Sequence, residues 1–568
     1  MRPPVEYLFC LAADVYEKAP MPKLRPSRCL DALPALALAL IFGWATWERF
    51  RLPLAPFANP DVWAYLGPGL DALLGEPFRE WFGQCFLYPW FLYVLLKASG
   101  TFKCITLVQS LLGLGTGALM FCCWMELGRL MPASRLPRLT FKLLGAGLAG
   151  VYLFSTATIQ FERTLNPEAV FPFVVVLQVY CNLRFIRSRF IDGQPGRALL
   201  SGWSALFLSV AASLLKPSFL GVVVLANLPI IIALFRPGQS AWGKLLLVAV
   251  PVLGAVLLLV WPEYKLRQAA GSLYLARSLF SVHADLINDQ IAEDLAQHAP
   301  VPYSPELLAA IHADLTKALR ESRGEVGKYW HALSFNADYL RFGNAGKPSF
   351  LRELTVRLGG DEQTGNFCRY YYWRTVRGQP AGMAAKVARQ FTVFYRIGRC
   401  PAYMTNKRID LSKEYRRSSE SLALQQKLLR YPPGAGLVVH TEALSGSALH
   451  VGPYRLTGWI NQFLSRTHLF WCVWAVLLAV CAWRIQPIRA VFGIAAPVLL
   501  LIYMYNFGTV LTLAIGHSLD VTRYSQYQFA YTLLPDFVSV WLAVEALMLF
   551  RSFIRGRQKL TDSSPVAG

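Results

Sequence analysis

The sequence lacks the cysteine and histidine spacings from which metal sites are recognised. Its eleven cysteines show no metal-binding spacing, and its eight histidines form no H-x-x-x-H or H-E-x-x-H pattern. No zinc motif is therefore recognisable from spacing. Only Cys368 and Cys400 lie in the long polar segment of the chain. They could pair in an oxidising compartment, and the sequence leaves that pairing open.

Acidic residues are also scarce. The chain of 568 residues has 34 Asp and Glu against 56 Lys and Arg, a formal charge of +22. The basic residues are interleaved with long apolar runs, which argues against a nucleic-acid partner. Hydrophobic residues make up 55% and aromatics 13% of the chain. This composition predicts an all-α polytopic membrane protein. No cleavable signal is apparent, because about thirty polar residues precede the first apolar run and no A-x-A site follows it.

Ten apolar runs are predicted to span the membrane, since a spanning helix needs about 20 mostly apolar residues. They are Leu30–Trp47, Cys104–Met125, Leu143–Thr158, Ala169–Asn182, Leu199–Leu215, Phe219–Phe235, Leu245–Trp261, Leu469–Trp483, Val491–Ile515 and Phe529–Phe550. The run Cys85–Leu96 is shorter and is predicted to be a helix lying in the membrane interface.

The basic residues set the predicted orientation. With residues 1–29 in the cytoplasm, the inner loops hold most of the Arg and Lys, as the positive-inside rule requires. The basic tail 551–568 is then also cytoplasmic. The core 30–261 places its first loop, 48–103, on the outer side. A mainly helical insertion, 262–467, lies on the same side, and 468–550 forms the last spans. Within the insertion, Gly434–Gly452 is rich in glycine and β-branched residues and could hold a small hairpin.

The stretch NPDVWAY in the first outer loop places a carboxylate and a phenol next to the membrane. Pro60 ends any preceding helix, and the residues from Asp61 to Leu74 are predicted to form a short helix. Asp61 and Tyr65 are four residues apart, so they share a face of that helix. An acid held at a bilayer edge is a candidate for chemistry on a lipid-borne substrate. The alternative is that Asp61 only caps its helix.

Further polar residues gather at the outer ends of the spans: Glu162, Glu168, Lys216, Arg523 and Tyr524. A charge at membrane depth costs about 2.5–3.5 kcal/mol on the insertion scale, so it usually has a partner or a task. Each residue also has a simpler interpretation. Glu162 could face water, Glu168 could offset a helix dipole, Lys216 could snorkel, and Arg523 could pair with a neighbouring acid.

In order and in topology, the motifs resemble those of the membrane glycosyltransferases of the GT-C fold. The motifs are "NPDVWAYLGPGLDALLGEPF", "FLYPWFLYVLLKASG", "ITLVQSLLGLGTGALMF", "ERTLNPEAVF", "LLKPSFLGVVV" and "DVTRYSQYQF". In pattern the chain is most similar to the protein O-mannosyltransferases and the lipid A aminoarabinose transferases. The resemblance covers about the first 260 residues and the last hundred, and 262–467 matches no family that we can name.

The resemblance implies inverting transfer of a sugar from a polyprenyl-phosphate donor to a lipid, glycan or protein acceptor. Asp61 would be the general base, and Tyr65, Glu162 and Glu168 would lie on the acceptor or metal side. Lys216, Arg523 and Tyr524 would bind the donor phosphate. In some relatives an acid at the position of Glu168 holds a metal, so a divalent metal is possible here. The expected location is a bacterial cytoplasmic membrane, with the site facing outward.

Two other classes of function remain open. A transporter or flippase of lipid-linked sugars would also have many spans and buried charges. Against it, the polar residues cluster at the outer interface instead of mid-bilayer, and the second half of the sequence does not repeat the first. A non-catalytic membrane scaffold, with 262–467 as its binding module, would leave the interfacial acids unexplained.

Overall fold

The computed structural model confirms an all-helical polytopic membrane protein. It describes residues 28–59, 61–79, 85–131, 134–236, 240–270, 274–323, 334–343, 348–396, 398–403, 406–516 and 521–562. The predictions for residues 1–27, for Pro60 and for the end of the tail concern residues outside these ranges. The last helix begins at Phe529 and continues to Asp562.

The first half of the described chain forms eleven α-helices, three of them shorter than nine residues. They are Arg28–Phe50, Val62–Leu73, Leu87–Ser99, Lys103–Arg129, Arg138–Leu153, Thr156–Phe161, Phe171–Ile186, Pro195–Leu215, Leu220–Ala226, Leu228–Phe235 and Ala241–Ala255. Two 3₁₀ turns, Pro167–Ala169 and Pro217–Phe219, precede helices. Two π-helical turns, Arg187–Ile191 and Val256–Val260, follow helices.

The second half contains the insertion and the last spans. Its helices are Trp261–Ala270, Tyr274–Val282, Ala284–Ala296, Pro305–Ser322, Ala337–Phe342, Phe350–Leu358, Asp361–Gly378, Pro380–Thr392, Leu411–Ala423, Gln426–Arg430, Pro432–Leu444, Arg455–Arg484, Gln486–Phe492, Ala495–Gly516, Val521–Gln526 and Phe529–Asp562. Two short strands, Ile409–Asp410 and His450–Val451, pair antiparallel.

Eight stretches of the described chain are long and apolar enough to cross a membrane, and each matches a predicted span. They are Lys103–Arg129, Pro167–Ile191, Pro195–Leu215, Pro217–Phe235, Ala241–Leu266, Arg455–Arg484, Ala495–Gly516 and Phe529–Ser552. The other two predicted spans coincide with Arg28–Phe50 and Arg138–Leu153, which are helices outside this group of eight. The short helix Leu87–Ser99, with 13 residues, forms where the interfacial helix is predicted.

Helices account for most of the described insertion. Its core is built around Phe280, Ile287, Phe367 and Tyr371, whose side chains are fully buried together. The hairpin predicted within Gly434–Gly452 is wrong: this stretch lies mostly in the helix Pro432–Leu444. Two prolines in the first helical turn favour the helix, because their fixed φ suits the first turn and needs no N–H partner there.

Cys368 and Cys400 do not form a disulfide. Both are free thiols, and both are buried. Cys368 lies in the core of the insertion, whereas Cys400 packs in the core of the membrane part.

Candidate functional site

The first outer loop is joined to the turn that carries Glu162 and Glu168. The Phe57 amide donates to the Arg163 carbonyl at 2.6 Å, and the Leu165 amide donates to the Phe57 carbonyl at 3.1 Å. Asp61 follows Phe57 by four residues, a reach of at most about 14 Å. Phe57 therefore lies against this turn, and Asp61 is within about 14 Å of Phe57.

Glu162 is buried and ion-paired. Its two carboxylate oxygens accept hydrogen bonds from Arg49 Nε and Nη2, both at 2.7 Å. Arg163 is fully buried as well, and it donates to the Arg49 carbonyl. The interpretation in which Glu162 faces water is therefore wrong. A bidentate Arg–carboxylate pair is among the strong, directional contacts of proteins, and here it fastens the turn to the helix Arg28–Phe50.

Glu168 and Lys216 form a second buried ion pair, with Lys216 Nζ 2.7 Å from Glu168 Oε1. Each residue sits at a proline that interrupts a helical run. Asn166 before Pro167 and Lys216 before Pro217 are both extended, as proline favours in the residue that precedes it. These breaks carry Glu168 and Lys216 towards each other at the ends of their spans.

Tyr527 completes this cluster. Lys216 Nζ lies 5.5 Å from the centre of the Tyr527 ring, within the range of a cation–π contact. The Tyr527 hydroxyl is 2.7 Å from the Ser218 hydroxyl. Residues from three separate parts of the chain thus meet around one buried lysine.

A small cleft connects the two glutamates. Its lining includes Glu162 and Glu168 on one side and Gln526, Tyr527 and Phe529 on the other. It therefore lies between the early outer turn and the beginning of the last helix.

Asp61 lies at the N-terminus of the helix Val62–Leu73, where its side chain makes no capping hydrogen bond. The capping interpretation therefore finds no support in the geometry. Tyr65 is buried, and its ring packs edge-on against Tyr88, with centroids 5.5 Å apart. The Tyr88 hydroxyl donates to Gln109 Oε1 at 2.8 Å. Gln109 Nε2 donates to the Glu162 carbonyl at 2.9 Å, so side chains also link this helix to the turn.

Tyr88 is held as a hydroxyl donor. Burial raises the pKa of Tyr88 well above its usual value, and the nearby Glu168 charge raises it further. Its phenol therefore stays protonated at neutral pH and keeps its hydrogen bond to Gln109.

Arg523 and Tyr524 lie on the short helix Val521–Gln526. The Arg523 side chain is outside the described residues. Tyr524 is partly buried, and its ring contacts Tyr527 at a centroid distance of 6.4 Å. The structure thus connects Tyr524 with the Lys216 cluster through Tyr527.

The insertion packs against the Asp61 loop. Ser418 Oγ accepts from the Ala58 amide at 2.8 Å, and the Tyr415 hydroxyl donates to the Ala55 carbonyl at 3.1 Å. Lys427 is ion-paired with both Asp71 and Glu76 of the loop. The insertion, which matches no family that we can name, therefore covers part of the loop that carries Asp61.

The described residues do not fit a metal site. Among them, no three His, Cys, Asp or Glu side chains cluster closely enough to hold an ion. At Glu168, the position considered for a metal, a lysine ammonium contacts the carboxylate instead. We therefore assign no step to a metal.

Sequence reasoning missed Arg49, Gln109 and Tyr527. Arg49 could have been found, because it is an arginine two residues after Trp47, the last residue of the first apolar run. Gln109 and Tyr527 give no such signal, since a glutamine within an apolar run and a tyrosine near a span end are common.

Comparison with known proteins gives a distant likeness. No protein-family model and no curated protein matches the sequence. Two of the solved structures that match are of ArnT from Cupriavidus metallidurans. In the apo state the identity is 12%, with 85% of this chain and 77% of that chain covered and a TM-score of 0.30. For ArnT bound to undecaprenyl phosphate, the identity is 13%, with 86% of this chain and 77% of that chain covered and a TM-score of 0.28. These likenesses are too distant to transfer any activity or residue role to this chain.

Proposed function

We propose that this protein is an integral membrane glycosyltransferase. It moves a sugar from a polyprenyl-phosphate donor to an acceptor at the outer face of the membrane, with inversion. The observation that carries the proposal is the convergence of the Asp61 loop, the Glu162–Glu168 turn and Lys216. These parts are distant in sequence, and the proposal is supported by the contacts of Phe57 with the turn and of Glu168 with Lys216.

Asp61 is the proposed general base. An acceptor hydroxyl is a poor nucleophile, so a carboxylate must take its proton as the new glycosidic bond forms, which is worth about 10²–10⁴ in rate. Glu162 is unsuited to this task because both its oxygens accept from Arg49. Asp61 is partly exposed and sits at a helix end, which leaves it accessible to a substrate.

Lys216 is the proposed contact of the donor phosphate, with Arg523 and Tyr524 as further contacts. Negative charge grows on the leaving phosphate during transfer, and a fixed cation stabilises it through charge-assisted hydrogen bonds. Glu168 holds the ammonium in place before the donor arrives. Glu168 and Tyr65 then orient the acceptor, and Glu162 serves as the anchor of the turn.

The test is transfer by the purified protein in lipid nanodiscs. Labelled sugars on a polyprenyl phosphate are offered with total membrane extract as acceptor, and undecaprenyl phosphate, a molecule of the donor's class, serves as binding probe. We expect labelled product and release of the free lipid phosphate, with Asp61→Asn as the inactive control. Movement of lipid-linked sugar across a vesicle bilayer without any transfer would instead identify a transporter.

A further inference from the structure

A second polar cluster lies inside the bundle formed by the last spanning helices, away from the two glutamates. At its centre Asp536, fully buried, accepts from the Tyr403 hydroxyl at 2.6 Å and the Tyr503 hydroxyl at 2.7 Å. His468 Nδ1 lies 3.0 Å from one of its oxygens and 3.1 Å from the other. An ionisable side chain inside a membrane bundle is expensive and usually has a function.

The cluster joins the insertion to the spanning helices. Tyr403 belongs to the last part of the insertion, whereas His468, Tyr503 and Asp536 lie on the helices Arg455–Arg484, Ala495–Gly516 and Phe529–Asp562. Nearby, the Cys400 amide donates to the Ser465 carbonyl at 2.9 Å. The connection from insertion to bundle is thus built from buried hydrogen bonds.

A second insertion tyrosine, Tyr395, contacts the helix Ala495–Gly516 about one turn after Tyr503. The Tyr395 hydroxyl donates to Asn506 Oδ1 at 2.7 Å. Asn506 Nδ2 in turn donates to Gln528 Oε1 and to Thr532 Oγ1, both at 2.9 Å. Gln528 directly precedes the last helix, and its carbonyl accepts from the Thr532 amide at 3.0 Å. Gln528, Thr532 and Asp536 are spaced by four residues, so they form one polar stripe along the start of this helix.

Other residues at or just before the beginning of the helix Phe529–Asp562 line the cleft. Tyr527, Phe529 and Ala530 all belong to the cleft wall. Tyr403 reaches this wall directly, because its ring packs edge-on against Phe529 with centroids 5.9 Å apart. The contacts of the two insertion tyrosines therefore connect the cleft wall with the polar stripe and with the insertion.

We propose that Asp536, through Tyr403, is a positioning residue that fixes the cleft wall 526–530 and couples it to the insertion. The role as a positioning residue rests on the proposed transferase function; the coupling itself does not. A misplacement of about 1 Å in a reactive site can cost a factor of about 10² in rate. Release of Tyr403 from Asp536 is thus expected to lower turnover without removing any group that contacts substrate.

The variants Tyr403→Phe and Tyr503→Phe provide a matched pair. Each removes one hydroxyl that donates to Asp536, at nearly equal distance, but only Tyr403 belongs to the insertion. Two thiols report on the result in full-length protein by maleimide labelling and peptide mass analysis. Cys400 reports on the insertion loop, and Ala530→Cys reports on the wall. Cys368, buried in the insertion core, is the internal reference for global unfolding.

We expect Tyr403→Phe to raise labelling at Cys400 and at Ala530→Cys at least tenfold relative to Cys368. Tyr503→Phe should leave both near the wild-type rate. In the transfer assay, Tyr403→Phe should lower kcat by about tenfold to a hundredfold with little change in donor KM. Unchanged labelling in Tyr403→Phe, or equal effects of the two variants, would overturn the coupling. A wild-type protein that transfers no sugar would count against the transferase proposal alone, because the labelling needs no substrate.

Discussion

The Lys216 ammonium lies 2.7 Å from a Glu168 carboxylate oxygen, with both residues buried, although 48 positions separate them in the sequence. Removal of one partner of such a pair lowers the free energy of unfolding by about 3–5 kcal/mol, because the other charge stays buried without compensation. Any test of Lys216 as a phosphate ligand must therefore separate binding from stability.

We predict that Lys216→Met lowers both thermal stability and donor binding, whereas the double variant Lys216→Met with Glu168→Gln regains much of the stability. The double variant buries no unpaired charge, so its folding should approach that of the wild type. Its affinity for undecaprenyl phosphate should remain weakened by at least about tenfold, because the cation is gone. Melting temperature and binding are measured on the same nanodisc samples. Wild-type affinity in the double variant would show that the pair is purely structural.

The anchor formed by Glu162 and Arg49 can be tested at a glycine. A Cβ added at Gly113 would overlap the Glu162 carboxylate, whereas a Cβ at Gly147 meets nothing within 4 Å. Both glycines lie in helices, so alanine is locally favourable at both, by up to about 1 kcal/mol. We predict that Gly113→Ala is destabilising and lowers turnover, and that Gly147→Ala is neutral or stabilising. Equal melting temperatures for the two variants would contradict the close contact.

These glycines also illustrate which parts of the site the sequence could reveal. Apolar runs and prolines are local signals, and they predicted the helix Val62–Leu73 and the breaks at Glu168 and Lys216. The predicted topology placed Glu168 and Lys216 at the same membrane level, and their ion pair agrees with that placement. The partner of Glu162 lies 113 residues away and leaves no local signal. The packing of the insertion against the Asp61 loop likewise depends on tertiary contacts, such as that of Lys427 with Asp71.

The insertion should loosen in mild acid. Burial lowers the pKa of His283 to about 4, with the Lys386 charge lowering it further, and its Nε2 lies 2.8 Å from the Ile515 carbonyl. The unfolded chain has a histidine pKa of about 6.5, so the unfolded state binds the proton more readily. The stability from neutral His283 is therefore present above pH 6.5 and is lost as the pH falls towards 4.

We predict a loss of about 2 kcal/mol from this residue between about pH 7.5 and pH 5. His283→Gln keeps an N–H donor but does not titrate in this range, so its stability should fall less over the same interval. Thermal unfolding at several pH values measures both proteins. Parallel pH curves for wild type and variant would show that His283 is not the sensitive group.

The predicted orientation places the insertion outside and the basic loops inside. Arg416 and Gln194 are both exposed side chains, the first in the insertion and the second in a loop predicted to be cytoplasmic. In intact cells, a membrane-impermeant maleimide should label Arg416→Cys, and it should reach Gln194→Cys only after permeabilisation. The opposite pattern would invert the orientation and place the site on the cytoplasmic face.

The last prediction concerns the base. Asp61→Asn should lower transfer at least about a hundredfold, the lower end of general-base assistance, while folding and donor affinity stay nearly unchanged. Asparagine keeps the size of aspartate and caps a helix about equally well, but it takes up no proton.

Asp71→Asn is the matched control for this experiment. It is the same exchange on the same helix, at a carboxylate that is ion-paired with Lys427. It should lower stability and leave the turnover of the folded fraction within a few fold of wild type. Single-turnover rates and melting temperatures of both variants separate the two effects. If Asp61→Asn keeps more than about a tenth of wild-type turnover, general-base assistance of the expected size is absent at Asp61. Glu168 would then be the next carboxylate to test, since Arg49 occupies both oxygens of Glu162.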